Sequence, residues 1–341
     1  MENNSPAPSK VARLPKGAAP TVGVDDGYAY IKLAWMEGAT IKMAAIPSRA
    51  EAGVSVSAAN GVPVGGYQAD EDRYTVNAVL SGADTRFSSY PTSTLNRALV
   101  QHALIEAGFG GRQLRIGTTL PPGNFFRRSG VNDKLIEAKR ANLLAPIQSL
   151  SGAPVAEIIE HEIFPEATAA VTDYLLGDDG RQVREFERPI AVVDIGGRTT
   201  DVVVILPTQD IDRGRLKTED MGVLNVIDII REGVIDEFDI DSADAEGIDF
   251  EKALRTGTLS MHGQAHDIAA LRAEAINEVA KRILQMVNTQ VGGGAALDAM
   301  LFVGGGAELM KDVIAGYRNA VVHPFPQYAN ARGVLKALTW G

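Results

Sequence analysis

Hydrophobic positions along the chain mark two strand pairs that lie about half a chain apart. The first strand is predicted at residues 21–25; it stops at Asp26-Gly27, a hairpin signal, and the chain resumes as a strand over 28–35. A nearly continuous apolar run over 189–195 also ends in glycines, and residues 200–206 run back out. Such runs are typical of strands buried on both faces. The repeated order of strand, Asp, Gly-rich turn and strand predicts two related lobes that face each other.

The apolar spacing predicts further elements in the rest of the chain. Strands are predicted at 40–46, 114–120, 155–164 and 299–303. Helices are predicted from 91–93 to 108 and at 132–144, 166–176, 221–238, 267–290 and 307–317. Residues 50–90 show weak periodicity, and residues 239–262 are acidic and are predicted to be irregular.

Composition narrows the classes of protein that the chain can represent. A length of 341 residues suggests about two domains. The 33 basic and 43 acidic side chains give a net charge of −10, which argues against direct, non-specific DNA binding. The absence of cysteine excludes disulfides, zinc–thiolate sites, iron–sulfur clusters and cysteine nucleophiles. Residues 1–20 are proline-rich with no apolar segment, so we expect a flexible tail and no signal peptide, and no apolar run elsewhere is long enough for a membrane-spanning helix.

The first candidate site is the turn that follows the first strand. A glycine turn allows backbone N–H groups to converge on one point, and such a concavity binds anions, phosphate above all. Asp25 beside the turn could hold Mg²⁺, often through water, and Lys32 on the outgoing strand could place a positive charge near the anion. An ordinary acidic hairpin turn gives the same Asp-Gly sequence, so this turn alone leaves both interpretations open.

The second turn carries more chemistry in a short stretch. Two glycines, a cation, two hydroxyls and two carboxylates fall within eight residues, in the order Asp194-Ile195-Gly196-Gly197-Arg198-Thr199-Thr200-Asp201. The glycines free backbone amides, the hydroxyls can donate to phosphate oxygens, and Asp194 can reach a metal. Asp201 could instead serve only to tie the turn together by accepting from backbone amides.

A third glycine-rich segment lies near the end of the chain. A predicted strand runs into Gly304-Gly305-Gly306 and then into a helix that contains Glu308. Such a passage allows a flat ligand or a phosphate to approach the backbone closely. The segment is not a GxGxxG sequence, and no Walker A sequence occurs in the chain, so a plain turn is the alternative.

Together, the two Asp-Gly hairpins and the late strand–GGG–helix passage resemble the actin/Hsp70/sugar-kinase superfamily, in which ATP lies in a cleft between two lobes. Within it, the chain resembles the bacterial plasmid-partition actins of the ParM/StbA family. The segments that carry the resemblance are 24–32, 164–167, 194–201, 221–223 and 304–308. It implies a two-lobed actin-like (ribonuclease H-like) α/β fold, each lobe a mixed sheet flanked by helices. The implied division is a tail at 1–20, a first lobe at 21–187 and a second lobe at 188–341, with the last helix packed back on the first lobe.

The resemblance also implies ATP, or GTP, with Mg²⁺ as the cofactor set, and it gives the segments roles. Glu166 would orient or deprotonate the attacking water. Asp25 and Asp194 would face Mg²⁺, mostly through water. The implied nucleotide-binding residues are Asp25, Asp26, Gly27, Lys32, Asp194, Gly196, Gly197, Arg198, Thr199, Gly222, Gly304, Gly305, Gly306 and Glu308. Gly222 and the 304–308 segment would line the adenosine pocket, and the amides of the two turns would hold the β- and γ-phosphates.

Two positions depart from the family pattern. Tyr28-Ala29 stand where Ser or Thr often follows the first Asp-Gly, so a hydroxyl donor to the γ-phosphate is missing there. Arg198 stands where a small residue or Thr is frequent, and we expect it to point outward as a solvated side chain, with a phosphate contact as the alternative. For Glu166 the alternative is a carboxylate that faces the macrodipole at a helix N-terminus.

The resemblance implies a cytoplasmic, filament-forming ATPase that segregates plasmid DNA. Subunits would assemble head to tail, and the filament would engage a small DNA-binding adaptor of the ParR type, with no direct DNA contact and no membrane partner. Two alternatives stay open. One is an ATPase of the same superfamily that does not polymerise, and the other is a sugar or acid kinase, for which 341 residues is a tight fit.

Overall fold

The computed structural model describes residues 19–56, 65–77, 85 and 87–341. The prediction of a flexible tail at 1–20 lies almost entirely outside the described residues, as does part of the weakly periodic 50–90 stretch. Among the described helices, none is long and apolar enough to cross a membrane.

The first lobe alternates strands and helices. Its elements are β1 (Thr21–Asp26), β2 (Tyr30–Glu37), β3 (Thr40–Pro47), β4 (Ala50–Ala52), β5 (Gly66–Ala69), β6 (Asp72–Val76), α1 (Thr94–Glu106), β7 (Gln113–Leu120), α2 (Pro122–Phe125), β8 (Phe126–Arg127), β9 (Gly130–Val131), α3 (Asp133–Leu144), β10 (Gln148–Ser149), β11 (Glu157–Pro165) and α4 (Thr168–Leu175).

The second lobe repeats the pattern and ends in a helix. Its elements are β12 (Ile190–Ile195), β13 (Thr200–Ile205), β14 (Lys217–Glu219), α5 (Val223–Phe238), α6 (Ser242–Glu246), α7 (Phe250–Thr256), β15 (Thr258–Met261), β16 (Gln264–Asp267), α8 (Ala269–Val291), β17 (Ala299–Val303), α9 (Gly305–Leu309), α10 (Lys311–Ile314), β18 (Ala320–Val322) and α11 (Ala329–Trp340).

The two large sheets have equivalent strand orders among the described residues. The first runs β11-β7-β1-β2-β3 and the second β18-β17-β12-β13-β14. In each, an antiparallel hairpin (β1–β2 or β12–β13) lies beside a parallel neighbour (β7 or β17). Strands β4, β5, β6 and β10 form a separate sheet in the first lobe, in the order β10-β5-β6-β4. This arrangement confirms the predicted actin-like α/β fold with a mixed sheet in each lobe.

Helices cover both faces of the second sheet, which explains why its central strands are apolar along their whole length. Every residue of β12 and β13 is buried. Their side chains pack against α5 and α8 on one face and against α4 and the start of α11 on the other. Burial on both faces removes the need for a polar alternation, so the sequence reads as a continuous apolar run.

Helix α11 packs mainly on the first lobe, and only its first residue, Ala329, joins the core cluster of the second sheet. Ala331 and Leu335 on α11 join Ala34 and Ile41 in a small core cluster on the first sheet. On its other side the helix lies so close to α4 that a Cβ added to Gly333 would stand 1.7 Å from the carbonyl oxygen of Ala169. The last helix therefore contacts both the first sheet and the helix that follows Glu166.

Several predicted element boundaries are wrong. Residues 239–262 are not irregular, because they form α6, α7 and β15. The predicted helix over 307–317 is instead two short helices, α9 and α10, and the first of them begins within the glycines at Gly305. The helix predicted from Glu166 starts at Thr168, because Ala167 has a φ of 64°, which is outside the helical region.

Candidate functional site

The two glycine turns meet across a cleft between the lobes. A Cβ added to Gly197 in the second turn would stand 2.8 Å from the Cβ of Ala29 in the first. The cleft encloses about 600 Å³, including the part that opens to solvent. It is lined by Asp25, Asp26, Gly27, Tyr28, Ala29, Lys32, Tyr90, Pro91, Thr119, Pro121, Lys139, Glu166, Asp194, Gly196, Gly197, Arg198, Thr199 and Asn330. The structure thus brings Asp25, Asp194 and Glu166 to one cavity.

Both turns have their carbonyl oxygens tied back into the protein. In the first turn, the Ser48 hydroxyl donates to the carbonyl oxygen of Gly27 at 3.0 Å, and the Thr85 hydroxyl donates to that of Tyr28 at 2.6 Å. In the second turn, the N–H groups of Val223 and Leu224 donate to the carbonyl oxygens of Gly196 and Gly197, at 3.1 and 2.8 Å. Turns whose carbonyl groups are occupied in this way present less negative charge to the cleft, which suits an anion.

Lys32 neutralises Asp25 at the floor of the first turn. The two residues are direct partners across β1 and β2, and the Lys32 Nζ lies 2.9 Å from Asp25 Oδ2. Burial alone would lower the pKa of Lys32, but the carboxylates of Asp25, Asp194 and Glu166 together more than offset this and raise it. Lys32 therefore stays charged in the cleft, where it can also attract an anion.

The Asp26 side chain points into the first lobe, where it binds side chains of the protein. The Lys139 ammonium lies 2.8 Å from its carboxylate, and Asn96 Nδ2 donates to Asp26 Oδ2 at 2.8 Å. Lys139 also donates to the carbonyl oxygen of Thr119 at 2.5 Å. With these partners, Asp26 anchors the turn to α1 and α3, and its neighbour Asp25 is the carboxylate that faces the second lobe.

The second turn places two acidic side chains side by side. Asp194 and Asp201 are partners across β12 and β13. Asn330 Nδ2 donates to Asp194 Oδ2 at 2.7 Å, and the Thr218 hydroxyl donates to Asp201 Oδ1 at 2.5 Å. Burial, reinforced by Asp25, raises the pKa of Asp194 to about 6, and burial, reinforced by Asp194, raises the pKa of Asp201 to about 7.

Glu166 lies at the end of β11, between the two turns. The Thr119 hydroxyl donates to its Oε1 at 3.3 Å. Burial and the negative charges of Asp25 and Asp194 raise the pKa of Glu166 well above its ordinary value. Glu166 lies two residues before the start of α4 and lines the cleft, so its carboxylate can contact a ligand in the cavity.

Arg198 lies at the rim of the cleft. Its Nε is 3.6 Å from the exposed carboxylate of Asp220, and its guanidinium stacks 5.4 Å from the centroid of the Tyr28 ring on the opposite lobe. The side chain is about one quarter exposed. Arg198 thus lines the cleft and contacts the opposite lobe, so it is not the fully solvated side chain that the sequence led us to expect.

Five of the residues predicted to bind the nucleotide stand outside the cleft lining. Gly222 supports the second turn, because a Cβ there would stand 2.6 Å from the carbonyl oxygens of Gly196 and Gly197. Gly304 does the same from β17, with a Cβ position 2.5 Å from Asp194 Oδ1. The remaining three form the start of α9; Gly305 faces open space, Gly306 packs on Ile195, and Glu308 is exposed and pairs with Lys311 at 3.0 Å.

The donor set of the cleft suits Mg²⁺ held largely through water. Carboxylate oxygens of Asp25 and Asp194 are hard ligands of the kind that Mg²⁺ prefers. Among the described residues, however, no group of three or more His, Asp or Glu side chains is close enough to hold a metal directly. Two protein carboxylates with water and phosphate as the other ligands is the pattern expected of a Mg²⁺–nucleotide site.

Sequence patterns did not identify several side chains of the cleft, and three of these form hydrogen bonds to side chains of predicted residues. Lys139, Thr119 and Asn330 all line it, and each bonds to one of the predicted residues. Lys139 comes from α3 and Asn330 from α11, which are far from the hairpins in sequence. No spacing rule connects them to the hairpins; the signal that the chain offered for Thr119 was only its position at the end of a predicted strand.

The fold and the cleft define an actin-like protein, in which two related lobes meet over a site built from paired Asp-Gly hairpins. Residues 21–176 match the family model described as plasmid segregation protein ParM, N-terminal. Residues 192–316 match the model described as archaeal actin homologue MreB-like, C-terminal. The chain is therefore similar to ParM over its N-terminal half and to the archaeal MreB-like actin homologues over most of its C-terminal half. No protein with a curated description matches it.

Solved structures share the fold over nearly the whole chain. The archaeal actin homologue Ta0583 in complex with ADP is 20% identical, with a TM-score of 0.74 over 93% of this chain and 98% of that one. A 15-stranded ParM filament from Clostridium botulinum is 17% identical, with a TM-score of 0.72 over 94% and 98%. Bacillus thuringiensis ParM with ATP is 14% identical, with a TM-score of 0.65 over 94% and 98%. At these identities the likeness establishes the fold.

Proposed function

We propose that this protein is an ATP-dependent, filament-forming actin-like protein that segregates plasmid or other DNA. The observation that carries the proposal is the meeting of Asp25, Asp194 and Glu166 in one cleft between two glycine turns. The similar structures support it, since one holds ADP, one holds ATP and one is a filament. GTP is the alternative nucleotide, and calorimetric titration of the protein with GTP beside ATP distinguishes the two.

The two turns are proposed to hold the β- and γ-phosphates through backbone amides. Lys32 adds a fixed positive charge next to Asp25, and Thr199 carries a short aliphatic hydroxyl of the Ser/Thr type that the first turn lacks. Gly222 and Gly304 have an indirect role: because they lack a Cβ, they allow the start of α5 and the end of β17 to pack against the second turn. Gly305 and Glu308 are open to a ligand on the second lobe, and we place the adenosine there.

Asp25 and Asp194 are the residues that would hold Mg²⁺. When bound, the ion would neutralise charge that develops on the β- and γ-phosphate oxygens. Lys32 binds Oδ2 of Asp25, and Asn330 binds Oδ2 of Asp194. The other oxygen of each carboxylate would then be available to the ion.

Glu166 is proposed to orient the attacking water and to accept its proton. A raised pKa brings a carboxylate closer to the range in which it takes up a proton near neutral pH. The Thr119 hydroxyl fixes one of its oxygens, which leaves the other for the water. Phosphoryl transfer depends mainly on positioning and electrostatics, so a single oriented carboxylate is sufficient for this step.

Filament growth would follow from head-to-tail contacts that do not close into a ring. Loss of the γ-phosphate removes contacts that both turns share, so hydrolysis would loosen the lobes and destabilise the polymer. A net charge of −10 leaves the contact with DNA to a basic adaptor, which we expect to be of the ParR type.

Light scattering and pelleting with Mg-ATP test this proposal. We expect assembly above a critical concentration and a rate of phosphate release that rises steeply at the same concentration. Bound nucleotide without polymer at any concentration, with turnover proportional to protein, would assign the chain to the non-polymerising ATPases. Turnover that requires an added sugar or acid acceptor would assign it to the kinases.

A further inference from the structure

Asn330 is a buried side chain of the cleft that connects the two lobes through both halves of its amide. It is 4% exposed. Its Nδ2 donates to Asp194 Oδ2 at 2.7 Å, and its Oδ1 accepts from the N–H of Ala167 at 3.2 Å. A primary amide can donate and accept at the same time, whereas a carboxylate or an apolar side chain cannot.

The contact to Ala167 falls at a strained point of the backbone. Ala167 has a φ of 64°, in the left-handed region that a residue with a Cβ rarely adopts. It immediately follows Glu166, and the next residue, Thr168, begins α4. The conformation of Ala167 sets the direction of the chain between β11 and α4, and so the orientation of Glu166. Strain of this kind persists only where the surrounding structure enforces it.

Two buried ion pairs hold the α11 backbone behind Asn330. Arg332 Nε lies 2.7 Å from Asp173 Oδ2, and Lys336 Nζ lies 2.5 Å from Asp173 Oδ1. Asp173 belongs to α4, so the same helix that begins beside Glu166 is fixed to the helix that carries Asn330. Asn330 is therefore presented from a rigid support, with both its partners at fixed positions.

We propose that Asn330 is a positioning residue that sets the Glu166 carboxylate against Asp194. It acts through its two hydrogen bonds, one to the second-lobe carboxylate and one to the peptide that follows Glu166. Placement of the attacking water relative to the phosphate would then depend on a side chain from the last helix. The catalytic part of this inference rests on the function proposed above.

Asn330→Ala removes both hydrogen bonds, and Asn330→Asp keeps the acceptor for Ala167 but loses the donor to Asp194. With Mg-ATP at saturation, we expect kcat to fall about tenfold or more in both variants, because small displacements of reacting groups are costly. We expect the KM for ATP to change less than about threefold in Asn330→Ala, since this change adds no charge and the turns that hold the phosphates are untouched. Asn319→Ala is the matched control, because Asn319 ties Gly294 and Leu297 together within the second lobe, away from the cleft.

Amide hydrogen exchange in the nucleotide-free protein tests the same bridge without activity. We expect exchange at Ala167 to accelerate about tenfold in Asn330→Ala and to stay near wild type in Asn330→Asp and Asn319→Ala. Unchanged exchange in Asn330→Ala, or wild-type kcat in Asn330→Asp, overturns the inference. If the wild-type protein does not hydrolyse ATP, the proposed function fails instead, and the exchange result alone then decides whether Asn330 holds the Glu166 segment.

Discussion

The charged residues of the cleft fall into two groups that do different work. Asp26 and Lys139 satisfy each other inside the first lobe and hold the first turn in place. Asp25, Asp194 and Glu166 face the cavity, where burial and Asp25 raise the pKa of Asp194, and burial, Asp25 and Asp194 raise the pKa of Glu166. Lys32 offsets only part of this negative charge. The cleft is thus arranged to be completed by a cation and a polyanion that bind together.

Glu166→Gln tests the role of this carboxylate directly. We expect nucleotide affinity within about threefold of wild type and kcat lower by about 10²-fold or more, since the amide cannot accept a proton. Glu162→Gln, on the same strand but exposed, is the control that should leave kcat unchanged. Phosphate release and equilibrium binding measure the two quantities, and normal turnover in Glu166→Gln would remove the residue from the mechanism.

The raised pKa values of Asp194 and Asp201 predict a pH dependence of stability in the absence of Mg²⁺. Their pKa values are about 6 and about 7 in the folded protein, against 3.8 as the ordinary value. The folded state holds the protons of these two carboxyl groups more tightly than the unfolded state does. The two groups therefore add most to the free energy of unfolding below pH ~4, and this stabilisation is lost as the pH rises through ~6 and ~7. At about 1.4 kcal/mol for each pKa unit, we expect the loss of stability to be on the order of 7 kcal/mol.

Urea unfolding in EDTA, at a series of pH values, measures this effect. Asp201→Asn removes one of the two titrations and keeps the shape of the side chain, so the fall in stability between pH 5 and pH 8 should be smaller in the variant. An equal fall in both proteins would show that Asp201 ionises without a penalty.

At the scale of elements, the second turn is supported by glycines of neighbouring segments. Gly304 has a φ of 84°, and a Cβ there would stand 2.3 Å from the carbonyl oxygen of Ile195. Gly304→Ala should therefore lower the free energy of unfolding by about 2 kcal/mol or more. Gly305→Ala is the control: that position faces open space at the start of α9, so we expect no loss. Equal effects in denaturant unfolding would contradict this account.

Some of these elements could be predicted from the sequence, and others could not. The paired hairpins were predictable because strands buried on both faces must be apolar throughout and because their turns require glycine. The helices within 239–262 were not, because they are short and start at acidic caps. Asp241 accepts from the N–H of Asp244 at 2.7 Å, and Asp249 accepts from that of Lys252 at 2.9 Å. The acidic composition reflected these caps, which periodicity does not detect.

The cleft could be predicted only in part, for a related reason. Residues on the hairpins are identified by local patterns, whereas Lys139 and Asn330 reach the cleft from distant helices. Their amphipathic helices have no feature that distinguishes a buried polar partner from a surface one. Only the packing of α3 and α11 on the sheets places these side chains beside Asp26 and Asp194.

At the scale of the molecule, three of the contacts between described residues join the two lobes beside the cleft, and we call them the mouth contacts. Arg49 Nη2 lies 2.8 Å from Glu251 Oε2, and the Tyr30 hydroxyl donates to the same carboxylate at 3.1 Å. Glu251 lies on α7 in the second lobe, whereas its partners belong to the first. With the stacking of Arg198 on Tyr28, these contacts hold the two lobes together.

Glu251→Ala should therefore accelerate nucleotide release. We expect an increase of about two- to fivefold, because partly exposed ion pairs contribute less than about 1 kcal/mol. The double change Arg49→Glu with Glu251→Arg should restore part of the wild-type rate. Arg282→Ala, which breaks an exposed pair with Glu278 inside α8, is the control. Stopped-flow release of a fluorescent ATP analogue measures the rate, and equal rates in all variants would show that the mouth contacts do not limit opening.

Calorimetric titration of ATP in the presence of Mg²⁺ tests the central claim, that carboxylates of the two lobes hold one nucleotide. Asp25→Asn and Asp194→Asn keep the size of each side chain and remove its charge. We predict that either change alone weakens Mg-ATP binding by about tenfold or more and reduces its dependence on Mg²⁺ concentration. Asp212→Asn, at an exposed turn of the second lobe, should bind as wild type does. Wild-type affinity in both cleft variants would contradict the account.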